Sequence, residues 1–307
     1  MRVVSLLPSA TEMVHFCGAR DALVGVTHEC DYPRGVEELP HLTSSKLDHS
    51  MSSAEIDAAV GAHLTDSGSI YALDAELLEE LAPDLIVTQG LCDVCSVTLD
   101  LVAEVATKLR CEPVILSLNP TSLREVLDDT VALGETLGHG DETRAKLSAL
   151  EERLARVEEA VAGLPRPRVA CIEWLDPPFS AGHWVPEMVG IAGGEETLAS
   201  PGLPSTRLSW DEVLEASPEV LVLMPCGFDA RRTIEEAARV LPRISGWEDL
   251  PAVRDGRVWA VDANAYFSRP APRLVDGVEI LARIFHPEVF PEAPDAAISI
   301  SASQQFS

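Results

Sequence analysis

The chain has 307 residues, 46% of them hydrophobic, and its 50 acidic residues against 23 basic ones give a formal net charge of −27. That hydrophobic content suffices for packed cores and argues against global disorder, while so strong a negative field argues against nucleic acid or an anionic membrane as partner. The acidic residues are spread along the chain rather than gathered in one tail. This distribution is typical of a halophile-like surface, on which salt screens the mutual repulsion.

The first residues do not read as an export signal, because the apolar run at residues 3–7 is too short for one. No apolar run approaches the length of about 18 residues that a membrane span needs. We therefore predict a cytoplasmic protein that does not span a membrane, and that is exported only if the true start lies upstream. In a reducing compartment its seven cysteines are expected to be thiols or metal ligands rather than disulfides.

Short apolar runs alternate with helical periodicities from the first residues onward. Residues 3–7 predict a strand, and the capping-box spacing of Ser9 and Glu12 predicts that a helix begins there. A strand at residues 23–26 opens into a loop with four consecutive candidate ligands, residues 28–31. Such alternation predicts a parallel sheet with right-handed crossovers. The further elements predicted in this half are strands at residues 83–87 and 113–117 and helices at residues 52–64, 74–82, 97–109 and 122–137.

Residues 141–162 predict one long helix, since apolar residues recur there in steps of three and four with charges between them. At 1.5 Å per residue it would be about 30 Å long, which suits a rigid connector. Beyond it the alternation restarts, and residues 212–222 repeat the pattern of residues 77–87: a helix, a proline, an acidic residue and an apolar strand. The strands predicted in this half lie at residues 169–174, 218–224 and 257–261, and the helices at residues 184–191, 229–240 and 272–285.

We therefore predict an α/β fold of two parallel-sheet, Rossmann-like lobes joined by one long α-helix, with a ligand cleft between the lobes. The predicted boundaries are residues 1–140 for the N-terminal lobe, 141–163 for the connecting helix and 164–287 for the C-terminal lobe. Residues 288–307 are expected to form a loosely ordered tail.

The loops after the predicted strands carry the candidate site residues, because ligands of open α/β folds bind at the carboxyl ends of strands. Cys92 and Cys95 follow the strand at residues 83–87, and with His28 and Cys30 they form a cysteine cluster that could ligate a transition metal. This spacing does not distinguish zinc from an iron–sulfur cluster, and core packing or a redox role stays open for the same thiols. The other loops contribute mostly aromatic residues, which suit a flat, partly apolar ligand: Phe179, His183, Trp184, Phe228, Tyr266, Phe267 and Arg269.

No catalytic constellation stands out in the sequence. It contains no glycine-rich phosphate loop, no nucleophile elbow and no His-Glu-x-x-His pair on a helix. We therefore predict that the protein is not an enzyme.

Several of these stretches together resemble the cobalamin- and iron-siderophore-type substrate-binding proteins of ABC importers. The resembling stretches are residues 3–12, residues 81–87, the long joining helix and residues 182–188, and the resemblance covers about residues 1–286. It implies two α/β lobes bridged by one helix, little hinge closure, a corrinoid or a ferric chelate as ligand, and no chemistry. An ABC permease is the partner that the resemblance implies.

Two features depart from the exported members of that family. The chain shows no export or lipoprotein signal, and it carries the cysteine-bearing loops at residues 28–31 and 92–95. Both features resemble a cytosolic, signal-less branch whose members are usually labelled cobalamin-binding proteins.

Two hypotheses about function follow. The first is a non-catalytic substrate-binding protein for a corrinoid (cobalamin-like) or a related metal chelate, with aromatic residues flanking the macrocycle and His28 or a thiolate approaching the metal. The alternative is a cytosolic metalloprotein or redox protein, in which Cys30, Cys92 and Cys95 with His28 hold zinc or an iron–sulfur cluster.

Overall fold

The protein is described by a computed structural model that covers residues 1–47, 51–67, 70–90, 97–294 and 296–300. The chain divides into two compact units. Unit 1 comprises residues 1–51, 55–120 and 125–147, and unit 2 comprises residues 52–54, 121–124 and 148–307. The predicted lobe boundaries at residues 140 and 164 stay a prediction.

The first half of the chain contains six strands and six helices within the described residues. The strands are β1 (Val3–Ser5), β2 (Leu23–Gly25), β3 (Thr43–Ser45), β4 (Tyr71–Leu73), β5 (Leu85–Thr88) and β6 (Val114–Ser117). The helices are α1 (Pro8–Phe16), α2 (Ser53–Ser67), α3 (Ala75–Leu81), α4 (Leu99–Ala106), α5 (Leu123–Thr136) and α6 (Gly140–Val161).

The sheet of unit 1 has the order β2-β1-β5-β6, and each neighbouring pair is parallel, as predicted. Its central strands β1 and β5 are short and buried, and Val4, Leu6, Leu78 and Ile86 belong to the apolar core beside them. Strands β3 and β4 form a separate antiparallel pair that the sequence pattern did not predict. Because the four main strands run the same way, the loops that follow them leave the sheet at one edge.

The second half contains six strands and six helices in the residues that the structure describes. The strands are β7 (Arg168–Leu175), β8 (Pro178–Ser180), β9 (Glu195–Glu196), β10 (Val220–Leu223), β11 (Val258–Val261) and β12 (Ala297–Ser299). The helices are α7 (Val185–Ile191), α8 (Trp210–Ala216), α9 (Ala230–Val240), α10 (Pro251–Arg254), α11 (Ala263–Tyr266) and α12 (Leu274–Phe285).

The sheet of unit 2 has the order β12-β11-β10-β7-β8, and β9 pairs with β7. The three central strands β7, β10 and β11 are parallel, while β8 and β12 add to the two edges in the antiparallel sense. The prediction of a loosely ordered tail is wrong for residues 297–299. The edge of β11 offers unpaired backbone groups, and the returning chain satisfies them as β12.

Helices α3 and α8 begin at a capping residue, and α1 begins one residue before its predicted cap. Asp74 accepts a hydrogen bond from the Leu77 amide at the start of α3, and Ser209 forms a complete capping box with Glu212 at the start of α8. The predicted cap at Ser9 is wrong, because α1 already begins at Pro8 and Ser9 is buried inside its first turn. Proline is favoured at the first helical position, where its fixed φ suits the helix and its missing N–H leaves no donor unpaired.

Helix α6 confirms the predicted long helix at residues 141–162. In unit 1, Lys146 Nζ donates to the carbonyl oxygen of Phe16, 2.9 Å away. In unit 2, Arg153 Nε donates to Glu279 Oε1 at 2.9 Å, and the guanidinium also pairs with Asp276. Among the described helices, none is both long enough and apolar enough to cross a membrane.

Candidate functional site

In unit 2, hydrogen bonds join the loops at the carboxyl ends of the parallel strands β10 and β11 to the segment that ends the antiparallel strand β8. The amide of Asn264 donates to the carbonyl oxygen of Phe228 at 3.1 Å, which ties the loop after β11 to the loop after β10. The indole Nε1 of Trp184 donates to the carbonyl oxygen of Phe267 at 2.8 Å, which ties the segment after β8 to the loop after β11. We call residues 179–184, 225–229 and 262–269 the carboxyl-end cluster of unit 2. It contains seven of the predicted site residues: Phe179, His183, Trp184, Phe228, Tyr266, Phe267 and Arg269.

Three of the predicted aromatic residues are interior residues of this cluster. Trp184 is 6% exposed, and Phe228 and Phe267 are each 2% exposed. The Phe228 ring packs edge-on against the Trp174 ring, with centroids 5.5 Å apart, and the guanidinium carbon of Arg232 lies 3.7 Å from its centroid. These buried rings therefore set the positions of the loops.

The remaining aromatic residues and His183 are half-buried, so part of each side chain is accessible. His183 has a left-handed backbone (φ +55°), and its amide donates to the carbonyl oxygen of Leu203 at 2.6 Å. Burial lowers the pKa of its imidazole, which favours the neutral ring. Arg269 is buried, and its guanidinium donates to Asn264 Oδ1 at 2.8 Å. The accessible predicted site residues of the cluster, Phe179, His183 and Tyr266, are thus aromatic and uncharged.

One acidic residue next to the cluster, Glu173 on β7, was not among the site residues predicted from the sequence. Its Oε2 accepts from the amide of Gly182 at 3.4 Å, and its carboxyl is also hydrogen-bonded by Ser205. Burial raises the pKa of Glu173 to about 7, although these hydrogen bonds act in the opposite direction. The available signal was an acidic residue inside an otherwise apolar strand, residues 169–175.

We expect Glu173 to make stability depend on pH. Its pKa is about 7 in the folded protein and about 4.3 in an unfolded chain, so between these values only the folded state retains the proton. Titration of this group should therefore lower the free energy of unfolding by about 3 kcal/mol as pH rises from 4.5 to 7, and the free energy should level off above pH 7. In Glu173→Gln this loss should disappear, so that the variant matches the unmodified protein at pH 5 and exceeds its stability at pH 8. Urea unfolding at pH 5, 6, 7 and 8 measures this, and a stability difference independent of pH would contradict it.

The loops at the carboxyl edge of the unit 1 sheet hold the predicted ligands His28 and Cys30. His28 Nδ1 lies 2.8 Å from Thr43 Oγ1, and its ring is 5.8 Å from that of Tyr71. The thiol of Cys30 is buried, 3.1 Å from the hydroxyl oxygen of Thr11 and 3.3 Å from that of Thr27. The Cys30 thiol is therefore engaged with hydroxyl groups of its own unit.

The predicted metal ligands can be placed only in part. Cys92 and Cys95 lie outside the described residues. Within the described ranges, no group of three or more His, Cys, Asp or Glu side chains is arranged to hold a metal ion. The metal site of His28, Cys30, Cys92 and Cys95 therefore stays a prediction.

The sequence matches the periplasmic binding protein family over residues 3–265. The chain belongs to this family. Its members are binding proteins, which confirms the predicted substrate-binding role, and the family gives no support to the alternative of a thiolate metalloprotein or redox protein.

Two curated relatives align with nearly the whole chain. A vitamin B12-binding protein of Vibrio cholerae is 24% identical over 282 residues, which cover 91% of this chain and 86% of that protein. A cobalamin-binding protein of Halobacterium salinarum is 25% identical over 291 residues, which cover 93% of this chain and 69% of that protein.

Two solved structures have a similar fold. The periplasmic vitamin B12 binding protein of Vibrio cholerae gives a TM-score of 0.68 at 23% identity, covering 92% of this chain and 95% of that one. A periplasmic heme binding protein from Pseudomonas aeruginosa gives a TM-score of 0.68 at 21% identity, covering 99% of this chain and 96% of that one. These likenesses confirm the predicted α/β fold with two parallel-sheet lobes.

The prediction of a cytoplasmic protein is wrong. The family is that of periplasmic binding proteins, both solved structures are periplasmic proteins, and a relative in Bacillus subtilis, 21% identical, is a substrate-binding lipoprotein. The apolar run at residues 3–7, on which the prediction rested, contains strand β1 of the fold. It therefore carries no information on where the protein works.

Proposed function

We propose that this periplasmic binding protein binds a corrinoid, cobalamin or a close relative, without catalysing a reaction on it, and passes it to an ABC permease. The observation that carries the proposal is that two relatives from distant organisms, aligned over 91% and 93% of this chain, are both named for cobalamin. The heme-binding structures of the same fold make heme the main competing ligand.

The electrostatics favour a corrinoid over heme. The rim of cobalamin carries amides, whereas heme carries two ionised propionates. A formal net charge of −27 repels an anionic ligand and leaves an uncharged rim unaffected. The one strongly basic side chain among the predicted site residues, Arg269, is buried and donates to Asn264.

In this proposal the accessible side chains of the carboxyl-end cluster contact the ligand. The half-buried rings of Phe179 and Tyr266 would pack against the flat macrocycle and supply apolar contact area. His183, with its pKa lowered by burial, would offer a neutral imidazole for hydrogen bonding.

Titration of the purified protein with cobalamin, cobinamide and hemin, followed by absorbance and calorimetry, tests the proposal. We expect cobalamin to bind with a stoichiometry of one and more tightly than hemin. Phe179→Ala and Tyr266→Ala should each weaken cobalamin binding by about tenfold, a typical value for truncating an aromatic contact. Phe290→Ala, a half-buried aromatic residue outside the cluster, is the matched control and should leave the affinity unchanged.

The same protein preparation also tests the alternative, a metal or redox site formed by cysteine thiolates. Cobalamin binding that survives Cys92→Ser and Cys95→Ser would show that these thiols are not needed for the proposed function. Stoichiometric zinc or iron in protein purified without oxygen, together with no affinity for either corrinoid, would overturn the proposal. Hemin binding tighter than cobalamin binding would overturn the choice of ligand.

A further inference from the structure

A cavity lies in unit 2 beside the start of strand β11 and the end of helix α12. Its volume is about 390 Å³, which falls within the range of small-molecule sites, about 300–1,000 Å³. The residues that matter for its chemistry are Arg257, Trp259, Arg283, Ile284, Phe290 and Glu292, and three prolines between residues 287 and 294 complete the walls.

Most of the lining is apolar and rigid. Trp259 and Phe290 contribute aromatic side chains, both half-buried, while Ile284 and the prolines contribute aliphatic surface. Proline carries no backbone N–H, so this wall has few donors for a polar molecule. The body of a ligand that fits here is therefore aromatic or aliphatic.

The cavity lining offers one guanidinium, that of Arg283, for direct pairing with an anionic group. The Arg257 guanidinium is held in place, because its Nη2 donates to the carbonyl oxygens of Phe285 at 3.1 Å and Ile284 at 3.4 Å. Arg283 forms no hydrogen bond or ion pair with any residue in the described part of the chain, although Glu279 lies near enough to feel its charge. The lining holds one carboxylate, that of Glu292, and further carboxylates act on the two arginines: Glu219, Glu288 and Asp255 on Arg257, and Glu279 on Arg283. An anionic group in this cavity is therefore held by direct pairing with the Arg283 guanidinium, not by a local excess of positive charge.

The cavity lies away from the carboxyl-end cluster. Arg257 immediately precedes β11, whereas the last segment of the cluster, residues 262–269, directly follows that strand. A strand of four residues spans about 13 Å. The two sites therefore lie toward opposite ends of the same strand and can be occupied independently.

We propose that this cavity is a second ligand site that binds a small monoanion with an aromatic or aliphatic body, such as an aromatic carboxylate. Its carboxylate pairs with Arg283, and its apolar body packs against Trp259 and Phe290. The inference is independent of the corrinoid proposal, because it rests on none of the residues of the carboxyl-end cluster.

The probe is 2-naphthoate, titrated into the full chain by calorimetry and by quenching of tryptophan fluorescence. We expect one molecule to bind per chain, whether or not cobalamin is present at saturation. Arg283→Gln should weaken binding by about tenfold or more, as expected for a charge-assisted hydrogen bond. It should leave the weaker binding of neutral 2-naphthalenemethanol unchanged. Trp259→Leu should weaken the binding of both ligands.

The matched control is Arg254→Gln, which removes the same charge from an exposed arginine of α10 and should leave naphthoate binding unchanged. No binding of naphthoate, or equal losses in the Arg283 and Arg254 variants, would overturn the proposal. Displacement of naphthoate by cobalamin would also overturn it, by placing the probe in the carboxyl-end cluster. Failure of cobalamin binding alone would not contradict the proposal of this second ligand site.

Discussion

Gly182→Ala is expected to destabilise unit 2 by about 3 kcal/mol and to abolish ligand binding at the carboxyl-end cluster. A Cβ atom at this position would lie 2.3 Å from the backbone nitrogen of Ser205 and 2.7 Å from the carbonyl carbon of Pro204. The clash is with backbone, and that backbone is fixed by hydrogen bonds from the His183 amide to Leu203 and from the Ser180 amide to Thr206. Relief therefore requires the segment after β8 to move.

Urea unfolding and cobalamin titration of the Gly182 variant measure the two effects. The matched control is Gly190→Ala in helix α7, where a Cβ atom would meet nothing within 4 Å. Because alanine is the better helix former, this control should be more stable by about 0.5–1 kcal/mol and should bind ligand normally. Equal stabilities for the two variants would contradict the close approach at Gly182.

Glu236→Ala is expected to destabilise the protein by about 3 kcal/mol, since it removes a buried acceptor and leaves its donors without a partner. Glu236 Oε1 accepts from the amide and the hydroxyl of Ser53, at 2.9 and 2.5 Å, and Oε2 accepts from Arg239. The carbonyl oxygen of Ser53 in turn accepts from the indole of Trp174 at 3.2 Å. The carboxylate thus holds Ser53, the residue at which α2 begins, and Ser53, Trp174 and Glu236 all belong to unit 2.

Glu236→Gln keeps one acceptor oxygen and should cost less than the alanine variant, about 1–2 kcal/mol. The Glu236→Ala variant should also speed hydrogen exchange at the first amides of α2, which report this cap directly. Glu235→Ala, an exposed neighbour on α9, should change neither quantity by more than about 0.5 kcal/mol. Unchanged exchange in Glu236→Ala would show that α2 does not depend on this carboxylate.

Local patterns in the sequence predicted most of the elements and their parallel arrangement. The repeat between residues 77–87 and 212–222 is one example. Helices α3 and α8 both end at a non-glycine residue with a left-handed backbone, Ala82 and Ser217, and both lead into a buried strand of four residues. Such units are predictable because apolar periodicity, capping residues and proline act over a few residues.

The roles of the candidate site residues depend on contacts that no local pattern contains. The sequence predicts Phe228 and Phe267 as ligand-facing aromatic residues, but the fold buries both. The Phe228 ring packs against that of Trp174, and the carbonyl oxygen of Phe267 accepts from the indole of Trp184. Glu236 reads as one acidic residue of an amphipathic helix, but it accepts from Ser53, 183 residues away in the chain.

The sequence by itself determined the class of fold and the order of its elements, because hydrophobic periodicity specifies which face of each element is buried. It also predicted the loops in which a ligand site would lie. Only the tertiary structure decided which side chains in those loops stay accessible and which hold the loops in place. It also decided that residues 297–299 join the sheet at β11. The physical reason is that the burial of a side chain and the pairing of distant segments depend on how the elements pack together. Hydrophobic periodicity shows that one face of an element must be buried, but not which distant segment will cover it.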